Sequence, residues 1–493
     1  VATACMEMVN AANLSFALCP LLTDGAIEAL LTAGSEEQKQ LFVPPLIDGR
    51  FTGTMNLTEP QAGSDLSLLR TRAVRQADGT YRLSGQKIFI TYGEHDLSEN
   101  IVHLVLARTP DAPPGVKGIS LFLVPKYLVG ADGSLGPRND VYCASLEHKL
   151  GIKASPTAVL IYGDGRGEVG PGAIGYLVGE ENRGLEYMFI MMNAARFAVG
   201  VQGIAVAERA YQQAAAYAKQ RVQSRAVEGS AGPVAIVHHP DVRRLLMFMR
   251  ANTEAARALA FYAAAQCDLA HHHPDAAQRQ QAKAAYEYLV PIVKGWSTEM
   301  SIEVASAGVQ VHGGMGYIEE TGAAQHYRDA RILTIYEGTT AIQANDLVGR
   351  KTLRDGGAVA RRFIEQIRAT VTELQGSADE RAIAQRLAAA ADAYAATVDF
   401  VLERHRTDVR AVYAGSVPYL KLAGITLCGW LMARAALAAR RRLACGGQDE
   451  AFLRAKLATA RFFADHLLTA VPGLAAAAID GAEGTLALAD EAF

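Results

Sequence analysis

Hydrophobic positions along this chain change their period twice. Over the first fifty residues they recur at helical spacing. There Ser35-Glu36-Glu37-Gln38 has the form of a capping box, in which the Ser hydroxyl accepts the Gln38 amide and the Gln side chain reaches back. The helix it starts is expected to stop before Pro44-Pro45, because the residue ahead of a proline is steered out of helical backbone. From about Phe51 to Val178 short alternating or apolar runs take over, at 81–90, 101–107, 118–124 and 158–162, divided by Gly, Pro, Asp and Asn. These runs predict a β-domain, a small barrel or sandwich. From Gly184 onward the helical period returns, over 184–222, 240–270, 276–311, 322–334 and 340–354. Asp355-Gly356-Gly357 then reads as a linker into an Ala-rich block, expected to be a four-helix packing unit. The predicted fold is mainly α with an inserted β-domain. A partial N-terminal helical domain covers 1–50, a middle β-domain 51–180, a helical bundle 181–354 and a C-terminal helical extension 355–493.

Two strings imitate sites. Gly165-Arg166-Gly167-Glu168-Val169-Gly170 satisfies the dinucleotide fingerprint, but Pro171-Gly172 and another apolar run follow where a helix is required, so a hairpin loop is expected. His271-His272-His273-Pro274 offers three adjacent imidazoles that cannot all face one ion from a helix, and reads as a helix-end linker.

Composition narrows the function classes. Half of the 493 residues are hydrophobic and a fifth are charged, which is ordinary for a soluble globular protein. A net charge of −3 leaves no basic excess to neutralise phosphates and excludes a nucleic-acid binder. The run Arg440-Arg441-Arg442 reads as a solvated helix face, with a membrane-surface patch as the alternative. Six scattered cysteines, without metal-like spacing, read as reduced thiols and point to the cytoplasm. No run of about eighteen uncharged apolar residues is found, so no transmembrane segment is expected. Because the chain opens at Val1 within a helical pattern, a preceding helical segment is also expected.

Two distant segments carry the chemistry: Leu57-Thr58-Glu59-Pro60-Gln61-Ala62-Gly63-Ser64-Asp65 and Ile335-Tyr336-Glu337-Gly338-Thr339-Thr340. With Lys87-Ile88-Phe89-Ile90-Thr91, Arg221 and Gln310-Val311-His312-Gly313-Gly314, they resemble the acyl-CoA dehydrogenase flavoprotein family from about Val1 to Lys351. The helical block after 358 and Tyr419-Leu420-Lys421-Leu422-Ala423-Gly424 make the chain most similar to the family's long bacterial branch. That branch includes enzymes for methylmercaptopropionyl and fatty acyl thioesters.

The resemblance implies FAD-dependent α,β-dehydrogenation of an acyl-CoA to the trans-2-enoyl-CoA. Glu337 would remove the α-proton, flavin N5 would accept the hydride, and the Glu337 amide with a ribityl hydroxyl would hold the thioester carbonyl. It places Leu57, Thr58, Phe89 and Thr91 on the flavin. Arg221, Gln310, Gly313 and Gly314 fall toward the pyrophosphate and adenine, across a dimer contact, and Thr339 is a further cofactor contact. Ser64, Asn193, Arg196 and Gly338 fall on the substrate side. Departures are Phe89 where many relatives have Trp, Ser224-Arg225 in place of an aromatic-Gly pair, and Ala341 in place of a Gln. Met188, Met191 and Met192 read either as helix core or as an acyl tunnel. An apolar surround of Leu333, Ile335 and Tyr336 is expected to raise the proton affinity of Glu337. An electron-transfer flavoprotein is the expected acceptor, in a homodimer or dimer of dimers, cytoplasmic or peripheral to the membrane. The alternatives are an acyl-CoA oxidase using dioxygen and, from another class, a non-catalytic flavin- or acyl-CoA-binding protein; a monooxygenase of similar fold usually lacks the Glu.

Overall fold

The computed structural model of the chain describes residues 1–446 and 449–493. Contacts divide it into two compact units, Ala12–Ala195, and Arg196–Phe493 together with Val1–Ala11.

In the first unit, helices Leu14–Ala33 and Glu36–Ile47 precede an eight-stranded sheet. Strands Phe51–Asn56, Asn100–Ala107, Ser120–Pro125, Ala173–Val178, Tyr81–Thr91, Thr157–Tyr162 and Val141–Leu146 follow one another across it, and Arg72–Arg75 pairs beside Tyr81–Thr91. Asn100–Ala107 is buried along its whole length because both faces are covered. Val102, Leu104 and Leu106 join one core with Leu22, Leu30 and Phe42 of the helices, while Val105 and Ala107 join a second with Tyr81, Leu83 and Leu160. The sheet curls around that second core. Tyr162 donates to Asn56 Oδ1 at 2.9 Å, Asn56 to Thr54, and Thr54 pairs with the buried His103 at 2.7 Å, tying distant strands of the sheet. Burial pulls the His103 imidazole down to about 3, so this network holds a neutral ring.

Two local expectations are corrected. Glu36–Ile47 runs through Pro44 and Pro45; both fall in its last turn, which the Asp48 amide closes by donating to the Pro44 carbonyl at 3.0 Å. The 165–170 loop is not a hairpin, because the strands on either side of it flank Tyr81–Thr91 instead of pairing with each other. It is a nest whose anion is internal. The amides of Gly165, Arg166, Gly167 and Gly172 all donate to the Asp140 carboxylate, at 2.8–3.2 Å.

The second unit is helical: Pro240–His272, Ala276–His312, Ala323–Leu333 and Thr340–Asp346, with a π-helical turn Leu347–Leu353. His273 caps the end of the first of these. Ala358–Glu373, Ala378–Arg404, Ser416–Ala444 and Glu450–His466 are the four long helices of the C-terminal block and belong to the same compact unit as Arg196 to Leu353. Gly184–Gln220 is one continuous helix. Against the expectation from uncharged runs, four helical stretches among the described residues are long and apolar enough to cross a membrane by length and composition. They are Leu14–Ala33, Gly184–Gln220, Ser416–Ala444 and Glu450–Asp480; 83% of the apolar window of Ser416–Ala444 is buried within the protein, against 33% for Glu450–Asp480.

Beneath the loop at 57–62 lies a buried ion pair. Lys87 Nζ, wholly buried, donates to Glu59 Oε1 and to the Leu57 carbonyl, both at 2.9 Å. Glu59 also accepts from the amides of Arg70 and Thr71, the Thr71 hydroxyl and the Gln61 amide. Every oxygen is satisfied, which is what a buried carboxylate requires. Lys87→Met is expected to cost about 3–5 kcal/mol by stranding Glu59, and Lys87→Met with Glu59→Leu to recover most of it; shifts in denaturant midpoint of the two variants check this.

Candidate active site

In the helical unit, Ala323–Leu333 ends with Thr334, and the Thr340 amide donates back to the Thr334 carbonyl at 3.1 Å. The chain between them makes a reversal in which two consecutive residues, Glu337 at φ 55° and Gly338 at φ 89°, take left-handed backbone. Thr339 caps the next helix, its hydroxyl accepting from the Ile342 amide, and the Thr340 hydroxyl donates to Glu299. Two side chains hold the reversal. Lys294 Nζ donates to the Gly338 carbonyl at 2.6 Å, and the Gln343 side-chain amide donates to the carbonyls of Glu337 and Gly338 at 3.2 Å each. Among the described residues none accepts from the Glu337 amide, which leaves that N–H for a ligand.

Opposed forces act on the Glu337 carboxyl. Burial raises its pKa, the cations Arg196 and Lys294 pull it down, and burial prevails. The expected source of that burial is partly wrong. Leu333 is fully buried and Tyr336 is anchored through its hydroxyl to Gln202, but Ile335 is 47% exposed. Arg196 is buried and shares its charge between Asp346 and Glu337. Asn193 is exposed on the same helix. Met188 and Met191 are fully buried among residues of the first core, with Met192 packed against it, so the stripe is helix core.

The other residues of this unit stand open. Arg221 is exposed where Gly184–Gln220 ends, at the foot of a loop closed by the Val222–Ala235 bridge. Gln310 is exposed, and its carbonyl accepts from the Gly313 amide. Gly313 and Gly314 present bare backbone, with open space where a Cβ would stand.

In the sheet unit, Tyr81–Thr91 is irregular between Lys87 and Ile90, and there Phe89 takes φ 59° and turns its ring outward, 59% exposed. It is not a core residue of the sheet. The Ile88 amide donates to the Thr58 carbonyl at 3.0 Å, bringing the loop at 57–62 alongside the irregularity. Leu57 packs its side chain against the first core while its carbonyl takes the Lys87 ammonium. Thr58 and Thr91 are half-buried, and among the described residues neither hydroxyl nor the Thr58 amide has a partner. Ser64 is exposed. An exposed aromatic face beside unpaired amide and hydroxyl donors fits the face and polar rim of a flavin; an exposed Arg and bare glycine backbone fit its phosphates.

Sequence reasoning overlooked Lys294 and Gln343. The signal was present, since Lys294 is the only charge in the apolar run 288–296.

A helical bundle with an interposed sheet, a carboxylate on a left-handed turn and donors suited to a flavin define a class of flavin-dependent dehydrogenases. Family models agree along the chain: "Acyl-CoA dehydrogenase, middle domain" matches residues 54–164, "Acyl-CoA dehydrogenase, C-terminal domain" 182–352, and "Acetyl-CoA dehydrogenase C-terminal like" 363–489. The chain is 61% identical over 470 residues to 3-methylmercaptopropionyl-CoA dehydrogenase of Ruegeria pomeroyi, covering 95% of this chain and 78% of the relative. It is 39% identical over 462 residues to a broad-specificity linear acyl-CoA dehydrogenase of Mycobacterium tuberculosis, covering 90% and 74%. In fold it is similar to an acyl-CoA dehydrogenase complexed with FAD from Bacillus anthracis, with TM-score 0.76, 22% identity, and coverage of 99% of this chain and 78% of that one. The chain belongs to the acyl-CoA dehydrogenase family, whose members are FAD-dependent enzymes.

A Cβ on Gly338 would stand 2.7 Å from Gln343 Nε2, on a backbone that L-residues avoid. Gly338→Ala is therefore expected to destabilise the helical unit by about 1–3 kcal/mol and to lower kcat/KM, read by thermal unfolding and steady-state kinetics.

Proposed function

We propose that the chain converts an acyl-CoA thioester to its trans-2-enoyl-CoA, with Glu337 as the base that takes the α-proton. The observation that carries this reading is the Glu337 residue itself. Its carboxyl has a raised proton affinity, and its amide, on left-handed backbone, is free of any acceptor among the described residues. A base of raised pKa takes a weakly acidic proton more readily at neutral pH. An unpaired N–H beside it supplies a donor for the thioester oxygen as that oxygen gains negative charge.

Thr58, Phe89 and Thr91 would hold the FAD ring, with Leu57 beneath it, and Arg221, Gln310, Gly313, Gly314 and Thr339 its phosphates and far end. FAD, when bound, takes the β-hydrogen with its electron pair. The α-C–H and β-C–H bonds break, the C=C bond forms, and the proton remains on Glu337 until solvent removes it. Ser64, Asn193, Arg196 and Gly338 are assigned to the substrate side. We assign the electrons to an electron-transfer flavoprotein and the enzyme to a homodimer or dimer of dimers. The identity with the Ruegeria pomeroyi relative supports a short thioether acyl group as the first substrate to test. Among the described residues no cysteine is in a disulfide, which supports the cytoplasm.

Anaerobic titration of the FAD-loaded protein with 3-methylmercaptopropionyl-CoA and straight-chain acyl-CoAs tests the reading. Bleaching of the flavin with a preference among thioesters is expected, with slow reoxidation in air separating a dehydrogenase from an oxidase. Glu337→Gln should retain the flavin spectrum and bleach at least about 10²-fold more slowly, the lower range for removing a positioned base. Absence of bleaching by any thioester would refute the catalytic assignment.

A further inference from the structure

Lys294 is an anomaly that the reaction does not explain. It stands in the apolar run 288–296 of the helix Ala276–His312, with none of its side chain exposed. A buried ammonium costs several kcal/mol of desolvation, which a methionine of similar volume would avoid. Its hydrogen bond goes to the Gly338 carbonyl at 2.6 Å. That carbonyl already accepts from the neutral Gln343 amide, so holding the turn does not by itself require a cation.

The charged groups around it are few. On its own helix Glu299 is taken by the Thr340 hydroxyl. Arg196, on the helix Gly184–Gln220, is stabilised as a cation by Asp346 and then Glu337, and opposed by Arg350. Asp329, on Ala323–Leu333, acts on Tyr336. Of the two carboxylates that act on Lys294, Glu337 has the larger effect and Glu299 the smaller, with Arg196 opposing both.

We propose that Lys294 is a positioning residue for the general base: through the Gly338 carbonyl it fixes the Glu337–Gly338 turn, and its charge keeps the Glu337 carboxyl ionised. The proposal rests on the reading of Glu337 as base. Arg196 pulls the carboxyl the same way but is shared with Asp346, whereas the Lys294 ammonium is bonded to the turn that carries the base. Burial draws Lys294 down to about 7, so it is cationic below neutrality and loses its charge as pH rises through that value. The sign follows: removing the cation raises the proton affinity of Glu337, so a higher pH is needed to form the carboxylate.

Lys294→Gln separates the two roles, because it keeps a donor for the Gly338 carbonyl and removes the charge, while Lys294→Arg keeps the charge. Two readouts are taken on the FAD-loaded protein. One is the pH profile of anaerobic flavin bleaching by an acyl-CoA. The other is the infrared carboxyl band that Glu337→Gln abolishes, titrated without substrate. Lys294→Gln is expected to move the acid limb and the infrared midpoint upward together by about 1 pH unit, the low end for loss of a neighbouring opposite charge. Lys294→Arg is expected to return both toward wild type. A Lys294→Gln enzyme slowed equally at every pH, with its infrared midpoint unmoved, overturns the proposal and leaves Lys294 a turn-holding residue. If Lys294→Gln does not fold, the wild-type band decides: it must titrate in two coupled steps, with an inflection near pH 7 as Lys294 loses its charge, and a single simple step overturns the proposal. Undiminished bleaching by Glu337→Gln would instead refute the base assignment, whatever Lys294 does.

Discussion

Left-handed backbone at two non-glycine residues is the constraint on which this molecule's chemistry depends. Phe89 and Glu337 take φ 59° and 55°, and each lies on a segment assigned to the reaction, one to the flavin and one to the proton. A bulky L-residue in that region costs about 1–2 kcal/mol, and it persists only where the surroundings leave no alternative. Both units supply those surroundings in the same way. In the sheet unit a wholly buried lysine, Lys87, donates to a loop carbonyl and to Glu59. In the helical unit a wholly buried lysine, Lys294, donates to a turn carbonyl beside Glu337. Burial draws both ammonium groups down, Lys87 to about 8 and Lys294 to about 7. The difference lies in the carboxylate. Glu59 collects enough hydrogen bonds from Lys87, Thr71 and Arg70 to outweigh its burial and sits below the usual range. Glu337, where burial outweighs the pull of Arg196 and Lys294, sits above it. One is a fixed structural anion and the other is the carboxyl we propose as the base.

The C-terminal block acquires a physical role from where it packs. Ser416–Ala444 crosses Ala276–His312 so closely at Gly424 that a Cβ there would run into Trp296, and Leu420 fills the space over Gly295. Those two residues follow Lys294 directly in sequence. A short distance away the hydroxyls of Tyr288, Tyr394, Tyr419 and Thr352 bond one another in the interior, joining that helix to Ala378–Arg404, to Ser416–Ala444 and to the π-helical turn. Buried hydroxyls without partners would be costly, so their pairing selects one arrangement of the four elements. The extension therefore backs the segment that supports the base. No contact with substrate is needed to explain its presence.

Much of this architecture was legible in the sequence because period is a local property. The helical stretches from 184 onward and the β-domain before them follow from spacing alone, and the capping box at Ser35 forms as written. What escaped was non-local. Nothing near Gly165 announces that Asp140, some twenty-five residues earlier, fills the loop's nest, nor that strand Tyr81–Thr91 separates the two strands on either side of that loop. The proline pair at 44 and 45 misled because the helix gives up their two backbone donors and still continues to Ile47 before it ends. Glu337 was identified by its motif, but the tuning of Glu337 was not: Ile335, its sequence neighbour, points outward, while Lys294 and Gln343 reach it from elements 43 residues before and six after.

The position of Glu337 between burial and two cations is the compromise that the proposed reaction would require. Burial alone favours the neutral form of the carboxyl, which cannot accept a proton. A fully paired carboxylate, like Glu59, would be ionised at all working pH values but too weakly basic to attract a proton from carbon. The structure gives Glu337 partial compensation: Arg196 is divided with Asp346, and the Lys294 hydrogen bond goes to the backbone carbonyl of the turn and not to the carboxylate. The Lys294 charge thus acts on the carboxylate oxygens through space. A cation that donated directly to them would have to be displaced at every turnover. Held one residue away on a carbonyl, Lys294 favours the anion without competing for the proton.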